Sequence, residues 1–522
     1  MPNLKIIIIL FIYKYKIKYM KKKIRVRFAP SPTGALHIGG IRTALYNYLY
    51  AIKNNGKLIL RIEDTDIKRN IKYSLNYIIK SLKWLKIKYN EGYLKNGLYK
   101  PYIQSKRLKI YKKFLNILIK KKLVYYSFET KNELYKYKKK NKKFLYNSLN
   151  RKKLKNSLSL SKKKIKKFIK NRQYVIRIKT PKNKNIKIID KVYGKIIINT
   201  NKLDDKILFR SNLTPTYHFS NVIDDHIMKI SHIIRGKEWI SSTPIHILIY
   251  NYFNWKLPKF IHLPLLLSNK GKISKRYKYN NNNNNINTIF PINSKKLNIN
   301  NSYKSNGFLP EALINIIALL GWNPNKNKEI LNLNNLIKLF NFNNINKNNI
   351  HLNYKKFCWI NKQYIKKKKY NKLLFKYIKK KLKKNNIINI KNKKIKKIII
   401  LTKNRISLIN EIWDVTKYFF INPKKYYIPK NINLFIKKNF KKVKIFLKKI
   451  KNYLFKKKSK KKINKLLKKI KINENLKILR ILIVGKLIGI SLLNILYLIN
   501  NKVIIYRINK FKNKIICQYK IY

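Results

Sequence analysis

The amino-acid sequence predicts an α/β fold on a doubly wound parallel sheet, followed by an all-α C-terminal region. Three observations predict it. Residues 24–29, Ile-Arg-Val-Arg-Phe-Ala, alternate apolar and charged side chains as a half-buried strand does. A loop rich in Pro, Ser and Gly, Pro30 to Gly34, leads into a helical stretch from about His37 to Lys53, and after Gly56 the run Lys57 to Ile62 reads as a second strand. Past residue 310 almost every segment has helical spacing. A β-loop-α-β unit of this kind opens a doubly wound sheet, and the long run of helices places a separate region behind it.

The middle of the chain fills in between these ends. Residues from about 70 to 120 read as helices, and those from about 130 to 170 are Lys-rich with helical spacing in places. Three β-branched runs (Tyr174 to Ile178, Ile186 to Ile189, Lys195 to Ile198) predict a small sheet. Strands, turns and a helix near Thr243 to Tyr252 follow from Ile207 to Ser274, and Asn280 to Asn285 is a low-complexity loop. The tail beyond about 366 is a Lys-, Ile-, Asn- and Leu-rich helical region.

Composition bounds the function without naming it. The 522 residues allow two to four domains and a large core. With 45% hydrophobic and 13% aromatic residues, the chain is not disordered despite a formal charge of +110. That charge attracts polyanions. The same excess of Lys, Asn, Ile, Tyr and Phe is also what drift in a very AT-rich genome produces, so a nucleic-acid role must rest on motifs. Against this background acidic residues and histidines stand out. Fourteen of the 17 acidic residues precede residue 330, and six of the seven histidines lie between His37 and His262, which places the chemistry in the first part of the chain. Cys358 and Cys517 are far apart and offer neither a disulfide framework nor a Cys/His metal spacing. The apolar run Ile6 to Tyr13 is too short to span a bilayer. Residues 1–19 read as an extension ahead of a start at Met20, and the chain as a monomer of the reducing cytoplasm, away from membranes.

Four constellations carry chemistry. Arg27-Phe28-Ala29-Pro30-Ser31-Pro32-Thr33-Gly34-Ala35-Leu36-His37-Ile38-Gly39-Gly40 spans a strand-to-helix turn. The free N–H groups of a helix start suit phosphates, the glycines admit a nucleotide close to the backbone, and an imidazole there can bond phosphate oxygens. The plain alternative is a turn capped by a histidine. Arg61-Ile62-Glu63-Asp64-Thr65-Asp66 puts three carboxylates at the end of the second strand, where open α/β sheets bind ligands. Thr214-Pro215-Thr216-Tyr217-His218-Phe219-Ser220-Asn221-Val222-Ile223-Asp224-Asp225-His226 is followed by Ile234-Arg235-Gly236-Lys237-Glu238-Trp239. An Arg beside a Tyr hydroxyl in a dry pocket favours a carboxylate over a carboxamide. Leu263-Pro264-Leu265-Leu266-Leu267 precedes Lys272-Ile273-Ser274-Lys275-Arg276, a basic loop able to close on a nucleotide.

Taken together and in this order, these strings resemble bacterial-type glutamyl-tRNA synthetases, members of the class I aminoacyl-tRNA synthetases. Gly307-Phe308-Leu309-Pro310-Glu311-Ala312-Leu313, Leu319-Leu320-Gly321-Trp322 and Phe357-Cys358-Trp359-Ile360-Asn361-Lys362-Gln363-Tyr364-Ile365 extend the resemblance to about residue 365. Beyond that, Arg480 to Leu492 is only faintly similar to the family's terminal helices. The resemblance implies a catalytic domain in two halves, 23–110 and 191–290, around an inserted acceptor-stem-binding domain, 111–190. It further implies a helical stem-contact domain, 291–370, and a helical anticodon-binding domain, 371–522, behind an extension at 1–22. It implies ATP contacts at Thr33, His37, Gly39, Gly40, Glu238, Leu266 and Lys275, with His37, Gly39, Lys272 and Lys275 serving the chemistry. Glutamate contacts fall on Arg27, Ala29, Ser31, Glu63, Tyr217, Asn221 and Arg235, with Glu63 receiving the α-ammonium and Arg27 facing a substrate carboxylate.

The implied reaction activates glutamate with ATP and Mg²⁺ and transfers it to the 3′ end of tRNA(Glu), with tRNA(Gln) left open as a second acceptor. Many relatives carry a zinc site beginning Cys-x-Cys in the insertion. Here the matching stretch is Tyr126-Ser127-Phe128-Glu129-Thr130, so no zinc is expected and the insertion is expected to hold its shape by packing alone. The nearest alternative is a glutaminyl-tRNA synthetase, but Gly39-Gly40 followed by Arg42-Thr43-Ala44-Leu45 favours the glutamyl branch. A paralogue that modifies a tRNA base and a small-molecule nucleotidyltransferase are both shorter than this chain. A decayed, non-catalytic tRNA-binding protein is opposed by the intact Arg27, His37, Glu63, Arg235 and Lys275.

Overall fold

The alternating segment after Ile24 forms strand β1 (Arg25–Phe28), and the computed structural model carries the chain on from there through α1 (Ile38–Lys53), β2 (Lys57–Leu60), α2 (Ser74–Trp84) and β3 (Glu91–Gly92). The structure describes residues 24–66, 69–71, 73–171, 173–268, 271–272, 302–325, 328–455, 459–470 and 472–519. Residues 1–23 and the Asn280–Asn285 tract lie outside them. The described chain divides into two units, one built from residues up to Ser305 with Pro310–Tyr354, the other from Asn306–Leu309 with residues from Lys355 onward.

In the first unit the chain continues through α3 (Leu108–Lys120), β4 (Val124–Ser127), α4 (Lys131–Lys140), α5 (Lys162–Lys170) and β5 (Val175–Ile178). Strands β6 (Asn185–Asp190), β7 (Gly194–Asn199) and β8 (Ile207–Phe209) follow, then α6 (Tyr217–Ile227), β9 (His232–Gly236), α7 (Thr243–Tyr252) and β10 (Lys259–Leu263). Short strands β11 (Leu266–Ser268) and β12 (Gly271–Lys272), helix α8 (Pro310–Ala318), a further helix over Leu333–Leu339 and strand β13 (Ile350–His351) follow. Strands β1, β2 and β3 pair in parallel, as do β9, β10 and β6. The two halves meet where Ser231 N–H donates to the Arg25 carbonyl at 2.9 Å. This is the doubly wound arrangement expected, with the strand ends after β1, β2, β9 and β10 on one side.

Three sequence readings change. The region from about 70 to 120 is not all helix, because β3 enters the sheet between α2 and α3. The second strand stops at Leu60, and Ile62 makes only an isolated bridge to Ile103. The β-branched runs between 172 and 200 do not form one small sheet. β5 pairs antiparallel with β4 and β8, whereas the β6–β7 hairpin joins the main sheet beside β10. Periodicity reports that a segment is a strand but not which sheet takes it.

The inserted sheet is not held by packing alone either. Asp205 is fully buried and accepts from Tyr125 Oη at 2.7 Å, from Thr180 N at 3.1 Å, from the Thr180 hydroxyl, and from Arg151 Nη2 at 3.3 Å. Arg177 donates to the Asp205 carbonyl at 2.8 Å and to Ser127 Oγ at 3.1 Å, with its guanidinium 4.0 Å from the Tyr146 ring centre. A buried carboxylate is tolerated only when its lone pairs are met, and here each oxygen has a donor. Among the described residues no group of three or more His, Cys, Asp and Glu side chains is placed to hold a metal ion.

At the amino ends of the first strands, opposite the ligand side, Arg25 of β1 forks onto Glu91 of β3 at 2.9 and 3.0 Å, and Lys57 of β2 adds a bond of 3.1 Å. The Arg25 fork, helped by Lys57 and Tyr102, holds the Glu91 carboxyl at about 2 against the burial that would raise it. A depressed carboxyl stabilises the fold above its ordinary 4.5 and loses that contribution as pH falls through about 2. Glu91→Gln should therefore cost about 3 kcal/mol at pH 7 in urea unfolding. The gap between variant and parent should close below the ordinary carboxylate range. A constant gap down to acid pH would assign the loss to packing.

The second unit is helical throughout. Its long helices bury one stripe each: Val443, Leu447, Ile450 and Leu454 in Phe440–Phe455, and Ile504, Ile508, Phe511 and Ile515 in Asn501–Tyr519, recur at three- and four-residue spacing. Lysines occupy much of the remaining faces. Asn473–Val484 ends at Gly485, whose φ of +87° lets the chain turn back. No described helix is long and apolar enough to cross a membrane.

Candidate active site

The cleft lies beyond the carboxyl ends of β1, β2, β9 and β10 and encloses about 460 Å³. Open α/β sheets bind ligands at this position, outside the carboxyl ends of their strands. Its lining includes Arg27, Ala29, Ser31, Thr33, His37, Gly39, Gly40, Glu63, Tyr217, Asn221, Arg235, Glu238 and Leu266, thirteen of the residues singled out from sequence. Lys272 is placed by its backbone in β12, and Lys275 falls outside the described residues.

At one end His37 caps α1, its Nδ1 accepting from Gly39 N–H at 3.1 Å. The capping that the sequence offered as the plain alternative is therefore present. With Nδ1 as acceptor, Nε2 is the nitrogen that carries the proton of the neutral ring. A Cβ on Gly39 would come within 3.0 Å of that ring, so a larger residue would displace the imidazole. The start of α1 is tied down by Arg42, which donates to the carbonyls of Pro264 and Leu320.

Beneath the other end lies a charged layer the sequence did not disclose. Helix α6 carries Tyr217, Asn221, Asp224 and Asp225 at spacings of four, seven and eight from the first, one face of a helix. Asp225 accepts from Arg27 Nε at 3.0 Å and from Arg61 Nη1 at 2.7 Å. Asp224 accepts from Arg107 at 2.7 Å, Tyr111 at 2.8 Å and Gln104 at 2.8 Å. Burial opposes the charge on Asp225, but the Arg27 and Arg61 guanidiniums outweigh it and hold its carboxyl below the ordinary value. Arg27 thus lines the cleft as half of an ion pair, with Nη2 its nitrogen that carries no bond among the described residues. Glu63 Oε1 takes Arg61 Nη2 at 3.0 Å and Asn221 Nδ2 at 2.8 Å, while Oε2 has no partner among the described residues.

Arg235 differs from both. Its Nε donates to His262 Nε2 at 3.1 Å, Nη1 to Tyr217 Oη at 3.2 Å and to His246 Nδ1 at 3.1 Å, and Nη2 to Thr243 Oγ1 at 2.8 Å. All these partners are uncharged acceptors, and no described carboxylate lies within ion-pair distance of it. One Nη2 proton and the Tyr217 hydroxyl proton are left over. The sequence reading found Tyr217 and Arg235 but missed Asp225, Thr243, His246 and His262. The scarcity of acids and histidines in this chain was the available signal.

A doubly wound sheet with a nucleotide-sized cleft at its strand ends, interrupted by an insertion and followed by a helical unit, is the layout of a class I aminoacyl-tRNA synthetase. Residues 23–359 match the family model described as tRNA synthetases class I (E and Q), catalytic domain, and residues 362–512 match an anticodon binding domain. The chain is 37% identical over 411 residues to the glutamate–tRNA ligase of Bacteroides thetaiotaomicron, covering 77% of this chain and 80% of that one. It is 42% identical over 412 residues to that of Azobacteroides pseudotrichonymphae, with the same coverage. The crystal structure of a glutamate–tRNA ligase from Elizabethkingia meningosepticum in complex with its amino acid superposes with a TM-score of 0.82 at 36% identity, over 95% of this chain and all of that one. The chain belongs to the glutamate–tRNA ligase family of class I synthetases.

Proposed function

We propose that the chain activates glutamate with ATP and transfers it to the 3′ end of tRNA(Glu), and that Arg235 with Tyr217 selects the substrate's γ-carboxylate. The observation that carries this is the pair of donors left over at the cleft, the Arg235 Nη2 proton and the Tyr217 hydroxyl. A carboxylate accepts from both. A carboxamide offers one oxygen, and its NH₂ meets a donor, so a buried donor stays unpaired. At the other end of the amino acid, Glu63 Oε2 receives the α-ammonium and Arg27 Nη2 the α-carboxylate, near Ala29 and Ser31.

ATP lies along the start of α1, where Thr33, His37 and Gly40 present donors to phosphate and Gly39 keeps the backbone clear of a side chain, with Glu238 and Leu266 beside the nucleoside. Mg²⁺ comes as part of the nucleotide substrate. Glutamate's α-carboxylate attacks the α-phosphate and pyrophosphate leaves. The terminal ribose hydroxyl then attacks the carbonyl of the adenylate and AMP leaves. His37, Lys272 and Lys275 stabilise the charge that moves to the departing phosphates, so no side-chain nucleophile is needed. The domain division follows the sequence reading, except that β6 and β7 already pair in the main sheet while β8 returns to the inserted one, so the boundary at 190 does not cut the insertion cleanly. The matched anticodon-binding model supports tRNA as the partner of the second unit. The reading includes a cytoplasmic monomer encoded by an AT-rich genome.

Aminoacylation by the full-length protein tests it, with labelled glutamate or glutamine offered on tRNA(Glu) or tRNA(Gln). Glutamate on tRNA(Glu) is the expected product. Glutamate on both tRNAs makes the enzyme non-discriminating. Glutamine transfer, or none by folded protein, overturns the assignment.

A further inference from the structure

Arg235 is a buried arginine held through two imidazole acceptors. Beneath one end of the cleft three guanidiniums are neutralised directly, Arg27 and Arg61 sharing Asp225 and Arg107 pairing with Asp224, whereas Arg42 in α1 meets the carbonyls of Pro264 and Leu320. The nearest carboxylate along the Arg235 network is one imidazole removed. Asp190 closes β6, His262 lies in β10, and Arg235 lies in β9 directly opposite His262 in the strand register. Asp190 Oδ2 accepts from His262 Nδ1 at 2.8 Å and from its backbone N–H at 3.1 Å. Asp190, His262 and Arg235 are all buried.

Donor and acceptor roles follow from chemistry. A guanidinium only donates, so the ring nitrogens facing Arg235 must both be lone pairs. His262 therefore keeps its proton on Nδ1, where Asp190 accepts it. His246 likewise accepts at Nδ1 and directs its Nε2 proton to His218 Nδ1, 3.3 Å away. Burial is the main cause holding both imidazoles below their ordinary range, which agrees with neutral rings.

We propose that Asp190–His262, seconded by His218–His246, is a positioning device for Arg235: it fixes the guanidinium through neutral imidazole acceptors and leaves its charge for a substrate carboxylate. A carboxylate in place of His262 would hold the arginine equally firmly but would neutralise it, and the site would lose its preference for an anionic side chain. Asp190 is close enough to set the tautomer and is screened from Arg235 by a ring. This inference rests on the reading of Arg235 as the γ-carboxylate ligand.

The test compares His262→Phe, His262→Asn and His262→Gln in the full-length protein, by steady-state aminoacylation of tRNA(Glu). Phe removes the acceptor. Asn keeps a donor toward Asp190 but does not reach Arg235. Gln places an oxygen near the position of Nε2. Phe and Asn are expected to raise the KM for glutamate about 10-fold or more and to reduce the preference for glutamate over glutamine, with the KM for ATP unchanged. Gln is expected to restore the glutamate KM to within about threefold of the parent. If Phe fails to fold, Asn against Gln still decides. An unchanged glutamate KM in Phe or Asn, or a Gln variant as impaired as Asn, overturns the proposal. Arg235→Met separates the two levels. If it raises the glutamate KM while the His262 variants do not, only the positioning role fails; if it leaves that KM unchanged, the underlying reading of Arg235 fails.

Discussion

Arg235→Met is expected to lower kcat/KM for glutamate by about 10³-fold or more, with the KM for ATP little changed. The variant loses a charge-assisted bond to the γ-carboxylate and leaves that anion facing apolar atoms in a closed site. Its effect on folding should be smaller than that of the usual buried-charge deletion. Because no described carboxylate pairs with Arg235, removing the guanidinium strands no buried anion, and a methionine of similar length fills the space. The His262 and His246 ring nitrogens lose their donor, so the loss of unfolding free energy should be about 1–3 kcal/mol. Thermal melting beside steady-state aminoacylation reads both quantities. A large loss of stability with an intact glutamate KM would make Arg235 a structural residue and move substrate selection elsewhere in the cleft.

The contrast between Arg235 and its neighbours also marks what the sequence could disclose. The residues that line the cleft sit in strings whose order is informative: the strand-to-helix turn from Arg27 to Gly40, and the helix start at Tyr217. Strand and helix periodicity placed β1, α1 and α7 close to their observed bounds. Ion pairing beneath the cleft was not legible, because Asp225 meets Arg27 and Arg61 across separations of 198 and 164 residues. Nothing local distinguishes an aspartate on the buried face of a helix from one in solvent. The same holds for the β6–β7 hairpin, whose strands alternate clearly but whose sheet is chosen by a partner about 70 residues later. The insertion shows a third case. An absent Cys-x-Cys is visible in sequence, but the Asp205, Arg151 and Arg177 cluster that organises the sheet there joins side chains from four separate segments.

Asp225→Asn is expected to destabilise the first unit by about 3–5 kcal/mol, the largest single loss of stability anticipated here. The carboxylate sits between two arginines from adjacent strands, Arg27 of β1 and Arg61 just past β2, and it projects from α6. An amide of the same shape keeps part of the hydrogen bonding but leaves two buried guanidiniums with Glu63 and, 3.9 Å from Arg61, Asp224 as the remaining close carboxylates. The guanidiniums would repel each other, and Arg27 and Glu63, both lining the cleft, would shift with them. Glutamate affinity should therefore fall even at temperatures where the variant is folded. A double variant decides whether charge is the cause. Arg27→Met added to Asp225→Asn removes one stranded cation and should recover part of the lost stability, giving a coupling energy of about 1–3 kcal/mol between the two sites. Acid should narrow the difference between parent and single variant. The folded Asp225 carboxyl lies below its ordinary value, so its contribution is present above that value and is lost as pH falls through the depressed one. Strict additivity of the two substitutions, with no narrowing in acid, would show that Asp225 acts through packing and that the arginine layer does not depend on its charge.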